Sequence, residues 1–296
     1  MSARAPSRAP RVVAIGGGHG LAQTLKAVRR YAGELTAVVS VADDGGSSGR
    51  LRELLGIPAP GDLRRCLSAL LPEGSPLVEA LEHRFGSGAL AGHAFGNLFI
   101  AAMALATGDF VSGVEEAGRV LGAVGRVLPA TELPVVLKAQ TAGGEIIGQV
   151  RVMTSDEIAT VSLVPPDPAP PPAVIEAIAG ADQIVLGPGS LFTSVLAACV
   201  VPAIREGLRA ARGRCVYVAN LREQTPETAG FDVSDLLGAL REHGIPVDVV
   251  VADKDALALG EVPDDISVVV AAIAVSGFSE HDPRLLGQQL SQLVAS

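Results

Sequence analysis

Short apolar runs alternate along this chain with segments whose apolar residues recur every third or fourth position, the two periods of strand and helix. Arg11 to Val41 predicts strand, helix, strand: Arg11–Ile15 is apolar after its first residue, Leu21, Leu25 and Val28 share a helical face, and a second apolar run ends at Val41. Helical spacing returns over Gly61–Leu71, Pro76–Phe85 and Phe110–Leu121. Ala94–Ala106 is apolar nearly all round, so a buried central helix is expected there. The period then changes. Leu133–Ala139, a turn over Thr141–Gly144, and Glu145–Val152 predict a hairpin, and Ile158–Val164 predicts a third strand. The proline-rich run Pro165–Pro172 reads as a stiff connector. Beyond it come a buried strand over Ala181–Leu186, a helix over Leu191–Cys199, and strands near Val216, Val249 and Val269, with Ile266–Val275 expected as a buried strand.

This order predicts an α/β fold: Rossmann-like, with a mostly parallel sheet, helices on both faces and a small antiparallel β insert. The expected organisation is a disordered leader over residues 1–10 and a single Rossmann-like α/β domain over residues 11–296. The insert is placed at about residues 127–164 and the connector at 165–172.

Three polar loops interrupt this pattern where strands end. The first, Gly16-Gly17-Gly18-His19-Gly20, joins strand to helix, an arrangement that lets backbone N–H groups approach a pyrophosphate. It departs from the dinucleotide fingerprint at Leu21, where the last glycine would fall, and no Gly-Lys-Ser/Thr follows to make it a P-loop. In the second, a strand runs into Asp43-Asp44-Gly45-Gly46-Ser47-Ser48-Gly49-Arg50, expected as a flexible polar loop. Adjacent carboxylates repel and closely spaced glycines cost backbone entropy, so a ligand outside the packing is the natural reason for the string. Asp43 and Asp44 either cap backbone N–H groups after the strand, or take a ribose or sugar hydroxyl, or hold Mg²⁺ through water. The third loop, Gly187-Pro188-Gly189-Ser190, opens a helix carrying Thr193 and Ser194, a second anion site with hydroxyl donors. Ser190 lies outside a Gly-x-Ser-x-Gly elbow and is not read as a nucleophile.

Composition narrows the classes. The net charge is −9 with no basic stripe, and aromatic residues make up 3% with no Trp, which argues against nucleic acid as a partner. No apolar run reaches the ~18 residues of a membrane span. Cys66, Cys199 and Cys215 are isolated and form no Cys-x-x-Cys pair, so a reducing, cytoplasmic setting without structural zinc is expected.

Together with Pro60-Gly61-Asp62-Leu63-Arg64 and Gly92-His93-Ala94-Phe95-Gly96-Asn97-Leu98, the three loops resemble the YvcK/CofD-like family, and the Asp-Asp-Gly-Gly-Ser-Ser-Gly-Arg string its YvcK branch. The resemblance runs from about Arg11 to the last helix. It implies a Rossmann-like fold. In the YvcK branch it implies binding of UDP-sugars such as UDP-N-acetylglucosamine without established catalysis, and a need for the protein in cell shape and wall synthesis on gluconeogenic carbon. The CofD branch would instead imply a magnesium-dependent transferase moving a 2-phospholactyl group onto a deazaflavin. Many YvcK-branch members carry a longer C-terminal segment; little of it is visible here, so no role of that segment is carried over.

The candidate ligand-binding residues are Gly16, Gly17, Gly18, His19, Gly20, Asp43, Asp44, Gly45, Gly46, Ser47, Ser48, Arg50, Asp62, Arg64, Asn97, Gly187, Gly189, Ser190, Thr193, Ser194 and Asn220. His19 either donates to a phosphate or caps its helix. Arg50 and Arg64 are carried by the family strings, whereas at least two of Arg50, Arg52, Arg64 and Arg65 are expected on solvated faces. Asn97 enters an apolar helix and needs a partner, either a cap or the ligand. Asn220 ends a strand where a switch-point residue would meet a ligand; Glu223, Thr225 and Glu227 are weaker candidates. His83, His243 and His281 read as ordinary residues. No cofactor is required on the favoured reading; Mg²⁺ at Asp43 and Asp44 belongs to the transferase alternative. Further partners to look for are a second copy of the chain and wall-synthesis proteins. Three readings compete: a non-catalytic UDP-sugar-binding regulator, a Mg²⁺-dependent transferase of phosphorus-containing groups, and a nicotinamide-dependent oxidoreductase suggested only by the Rossmann-like opening.

Overall fold

The computed structural model of the protein describes residues 8–275, 277 and 280–294. The first seven positions of the expected leader lie outside these residues. The chain opens with β1 (Arg11–Gly16), α1 (Gly18–Val28) and β2 (Glu34–Val39), and β1 and β2 pair parallel from Arg11↔Glu34 to Gly16↔Val39. On one side β2 pairs with β3 (Arg126–Pro129); on the other β1 pairs with β7 (Gln183–Leu186), followed by β8 (Arg214–Val218), β9 (Val249–Asp253) and β10 (Ser267–Ala271). All six pairings are parallel, in the order β10-β9-β8-β7-β1-β2-β3. The order reverses between β1 and β7, which makes that gap the topological switch point.

Buried valine, leucine, isoleucine and alanine fill β1, β2, β7, β8 and β9, as a sheet covered on both faces requires. Helices α3 (Gly61–Leu70) and α12 (Pro283–Gln292) pack beside α1, while α8 (Pro172–Gly180) and α9 (Ala197–Cys199) lie against β1 and α10 (Pro202–Ala210) packs on both. A hairpin of α5 (Phe95–Thr107) and α6 (Phe110–Leu121) closes the β3 edge, with α4 (Leu77–Glu82) between α3 and α5. The second sheet is antiparallel, β5-β4-β6, from β4 (Val136–Thr141), β5 (Gly144–Ile147) and β6 (Ile158–Val164).

Several expectations need correction. Gly46–Leu55 is not a flexible loop but a helix, α2, so the polar string forms a helix N-terminus. Arg126–Pro129, placed in the insert, pairs parallel with β2 and belongs to the large sheet. The second hairpin arm stops at Ile147: Gly148 turns with φ +106°, and Gln149–Met153 forms a short helix, α7. Helix α4 is shorter than the span Pro76–Phe85. Strand β10 is an exposed edge rather than a buried strand, with Val268 and Val270 40% and 49% exposed. Helix α5 buries only one face; Phe95 and Leu105 stand in solvent. The helix after the third loop starts with a π turn, Leu191–Leu196, before α9. In the remaining corner of the fold, α11 (Val233–Glu242) begins with a reciprocal capping box between Asp232 and Asp235.

Candidate functional site

The register sets Gly16 opposite Val39 of β2 and Ile15 opposite Leu186 of β7, so the loops after these strands leave the sheet side by side. The first and third loops touch. A Cβ on Gly20 would lie 2.1 Å from the Pro188 carbonyl oxygen, and one on Gly17 would lie 3.3 Å from Ser194 Cβ. Only bare backbone allows this approach.

Asp62, at the start of α3, reaches into the same gap. A Cβ on Gly17 would sit 2.6 Å from its Oδ2, and its carboxylate accepts the Gly18 N–H. Arg65 Nη1 donates to Asp62 Oδ1 at 2.7 Å. Burial pushes the Asp62 carboxyl above the usual carboxylate range; the Arg65 charge pulls it down, and the nearby Asp43 carboxylate pushes it up again. Asp43 and Asp62 therefore face each other across Gly61, whose Cβ would lie 3.1 Å from Asp43 Oδ2 and against Ser48 Oγ. Asp43 also accepts the Gly45 N–H at 2.9 Å through Oδ1.

The adjacent Asp44 does something else. Its two oxygens accept the N–H groups of Gln149 (2.9 Å) and Val150 (3.0 Å), capping α7 and tying the insert to the end of β2. Asp44 does not share a site with Asp43, and the carboxylate pair drawn together is Asp43 with Asp62.

Helix α2 starts at Gly46 with no side-chain cap. Such a first turn carries free N–H groups and a partial positive charge, and its Ser48 Oγ lies against Gly61 beside Asp43. Ser47, in that turn, is 3% exposed and centres a network: Asn97 Nδ2 donates to its Oγ at 3.1 Å, the Ala94 N–H at 3.4 Å, and His93 Nδ1 lies 3.1 Å away. Burial and then the Arg50 charge lower the His93 pKa, so its ring is neutral at pH 7 and Nδ1 can accept the serine proton. Asn97 Oδ1 is buried and has no hydrogen-bond partner among the described residues. His93 was not singled out from the sequence as a site residue; its proximity to Ser47 is a tertiary contact that no local pattern announces.

Other candidates turn out to be braces. Arg64 is 2% exposed, pairs with Glu82 at 2.5 Å, and packs against Gly96. Arg50 Nη2 donates to the Ala91 carbonyl at 3.1 Å, holding the segment before α5. Asn220 grips the third loop twice, accepting the Gly189 N–H at 3.0 Å and donating to the Gly189 carbonyl at 2.9 Å. The third loop's helix N-terminus is taken by the protein's own acid: Glu227 Oε1 accepts the N–H groups of Phe192 (2.8 Å) and Thr193 (3.1 Å), and Oε2 bonds the Ser190 hydroxyl, which also meets Thr193. Glu227 is 3% exposed, and burial raises its pKa despite these donors. An anion at this loop would have to displace it. Gly187 and Gly189 shape the turn, and Ser194 alone of the three hydroxyls faces Gly17 and Gly18.

A cavity of about 440 Å³ adjoins the gap, lined by His19, Gly20, Gly189, Asn220, Gln224 and Glu280 among others. His19 Nε2 lies 3.2 Å from Glu280 and 3.1 Å from Gln23 Nε2. A larger cavity, about 570 Å³, lies at the opposite ends of the strands beside Arg11, Glu34 and Arg126. Ligands of doubly wound sheets bind at the carboxyl ends, which favours the smaller cavity as part of the site. Among the described residues no group of three or more His, Cys, Asp and Glu side chains is arranged to hold a metal ion, and no single helix is long and apolar enough to cross a membrane.

Known proteins share this fold and much of this sequence. The chain is 44% identical over 247 residues to the gluconeogenesis factor of Halalkalibacterium halodurans, covering 81% of this chain and 76% of that protein. It is 40% identical over 264 residues to the gluconeogenesis factor of Bacillus subtilis, covering 87% and 81%. The crystal structure of a UPF0052-family protein from Bacillus halodurans superposes with a TM-score of 0.89 at 34% identity, covering 96% of this chain and 99% of that one. Residues 12–270 match the model of the 2-phospho-L-lactate transferase CofD family, and with the relatives named above this match shows that the chain belongs to the YvcK/CofD-like family.

Proposed function

We propose that the protein binds a nucleotide-linked sugar, a UDP-sugar such as UDP-N-acetylglucosamine, across the carboxyl ends of β1 and β2. On this reading it acts through occupancy rather than turnover, as a cytoplasmic regulator of wall synthesis and cell shape during gluconeogenic growth. The carrying observation is the N-terminus of α2, without a side-chain cap, joined to the first glycine loop through Asp43, Gly61 and Asp62. Backbone donors converging from two loops suit a diphosphate. Charge-assisted bonds of roughly 1.5–3 kcal/mol each, a few in number, suffice for micromolar binding at about −8 kcal/mol. The polar cavity beside His19 and Asn220 has room for the base or the sugar.

Two observations favour a second reading, transfer of a phosphorus-containing group. The Asp43 and Asp62 carboxylates fit Mg²⁺, which needs only one or two carboxylates when phosphates and water complete its shell. Bound there, the ion would neutralise charge on the phosphates. Ser47 with neutral His93 supplies a hydroxyl–base pair at the α2 N-terminus.

Calorimetric titration with UDP-N-acetylglucosamine, with and without Mg²⁺, followed by mass analysis of the recovered ligand, separates the readings. Saturable binding with intact ligand is the expected result. Consumption of the ligand would replace the regulator with the transferase, and Asp43→Asn should then abolish turnover in Mg²⁺. No binding under either condition would overturn the nucleotide-sugar assignment.

A further inference from the structure

A separate cavity, of about 320 Å³, lies where the ends of α1, α3 and α12 meet. Arg29, just past α1, donates through Nη1 to the carbonyls of Ala69 (3.0 Å) and Leu71 (2.6 Å), which fixes the end of α1 on the end of α3. Helix α12 presses on the same end: a Cβ on Gly287 would lie 2.8 Å from the Ala27 carbonyl oxygen. Lys26, at the cavity wall, is about 12 Å along the α1 axis from Gly18 of the first glycine loop.

Charge sets this cavity apart. Among the described residues, Lys26, Arg29, Arg30 and Arg284 line it with two carboxylates, Glu73 and Asp282, a local excess of positive charge on a chain of net charge −9. Neither carboxylate holds a cation closely. Glu73 is 86% exposed and 4.0 Å from Arg30; Asp282 is 3.9 Å from Arg284, and its Oδ1 already accepts the N–H groups of Arg284 and Leu285. Lys26 is exposed and has no hydrogen-bond or ion-pair partner among the described residues. Helix dipoles account for three of the cations and not for the fourth. Lys26, Arg29 and Arg30 stand at the carboxyl end of α1, where positive charge is favoured; Arg284 stands in the first turn of α12, where it is opposed. Like charges gathered in this way repel, and an anion among them relieves the repulsion. The cavity floor adds an unsatisfied group. Ser68 Oγ is buried without a hydrogen-bond partner among the described residues, although a helical serine commonly bonds the carbonyl one turn back.

We propose that this cavity is a second binding site, for the phosphomonoester group of a small phosphorylated metabolite. Such a group carries close to two negative charges at pH 7 and three acceptor oxygens, which suits a site with four cations against two carboxylates. A single carboxylate would neutralise only half of that excess. The rest of the ligand is limited by space. The volume lies at the bottom of the range for ligand pockets, about 300–1,000 Å³, and fits a body of a few carbons rather than a nucleotide. Ala69, Leu71, Pro72 and Val78 give that body an apolar wall. The site does not depend on the nucleotide-sugar reading and shares only α1 with it.

Calorimetric titration of the whole chain with glycerol 3-phosphate tests this. Saturable binding with a Kd below about 1 mM is expected, and glycerol alone should not bind. Lys26→Gln and Arg284→Gln should each weaken binding more than about fivefold, and the two together more than about twentyfold. Both side chains are exposed, so far-ultraviolet circular dichroism should stay unchanged. Without ligand, Arg284→Gln should not lower the denaturant midpoint, because it removes the cation that its helix dipole opposes. Glycerol 3-phosphate should raise the midpoint of the wild type and not that of the double variant. Vesicles containing phosphatidic acid present the same group from a lipid. No flotation is expected for so acidic a chain; flotation that the double variant loses would keep the site and assign its phosphomonoester to a membrane surface. Wild-type affinity in both single variants would place the ester elsewhere and overturn the proposal, as would the absence of both binding and flotation.

Discussion

Gly20 leaves no room for a side chain, because the Pro188 carbonyl oxygen occupies the place of its Cβ. Gly20→Ala should lower stability by more than about 2 kcal/mol, read as a fall in the denaturant midpoint; an unchanged midpoint would mean the first and third loops do not touch. The glycines were legible in the sequence, since a strand-loop-helix order explains them locally. The acids were half legible. Asp43 and Asp44 stand out as a pair, yet folding sends one to Asp62 and the other to the insert, and only contacts distant in sequence decide which. Ser190, Thr193 and Ser194 looked alike as hydroxyl donors. Glu227 separates them, engaging the first two and leaving Ser194 facing Gly17. Nothing around position 227 in the sequence shows that its carboxylate caps a helix more than thirty residues away.

At the scale of elements, periodicity located nearly every strand of the large sheet, because buried parallel strands are short apolar runs between polar loops. It failed at α2 and α7. Helix α2 begins Gly-Ser-Ser-Gly, a poor helical sequence on propensity alone; the tight fit of Gly49 against the Asp44 carbonyl, where a Cβ would come within 2.2 Å, overrides that preference. Helix α7 depends on a cap from Asp44, outside any local window. The insert is also held by His243 at the end of α11, whose Nε2 accepts the Val161 N–H of edge strand β6 at 2.9 Å while Nδ1 donates to the Ala239 carbonyl at 2.7 Å. Burial lowers the His243 pKa from its ordinary 6.5, and lowers that of His281 to about 4. The unfolded chain therefore takes up these protons first as pH falls. Stability is fully present above about pH 6.5 and declines from there toward pH 4. Denaturant midpoints measured across this range should fall with acidification, and His243→Gln, whose side-chain oxygen can still accept the Val161 N–H, should fall less steeply. A variant slope equal to that of the wild type would remove His243 as a source of the decline.

For the whole molecule, the doubly wound order follows from the alternation of strands and helices. Placement of its outer members does not. An apolar helix at the edge reads the same whether it faces a core or another chain, which is why α5 looked central and proved half exposed. The valines of β10 misled in the same way, since an edge strand in a parallel sheet can be as apolar as an inner one. One feature reaches across the entire fold. Asp43 and Asp44 are consecutive, about 3.8 Å apart along the backbone, and one faces Asp62 while the other holds the first turn of α7. On the proposed reading, fixing Asp43 in the bound state stiffens its neighbour too, so ligand affinity and attachment of the insert are thermodynamically linked, each changing the other by the same factor. Saturating nucleotide-sugar should slow hydrogen exchange at the Gln149 and Val150 amides, and unchanged exchange at full occupancy would show that the two acids act independently. On that reading the antiparallel sheet, which contributes no candidate ligand-binding residue, is the part of the molecule through which a partner would sense whether the proposed nucleotide is bound.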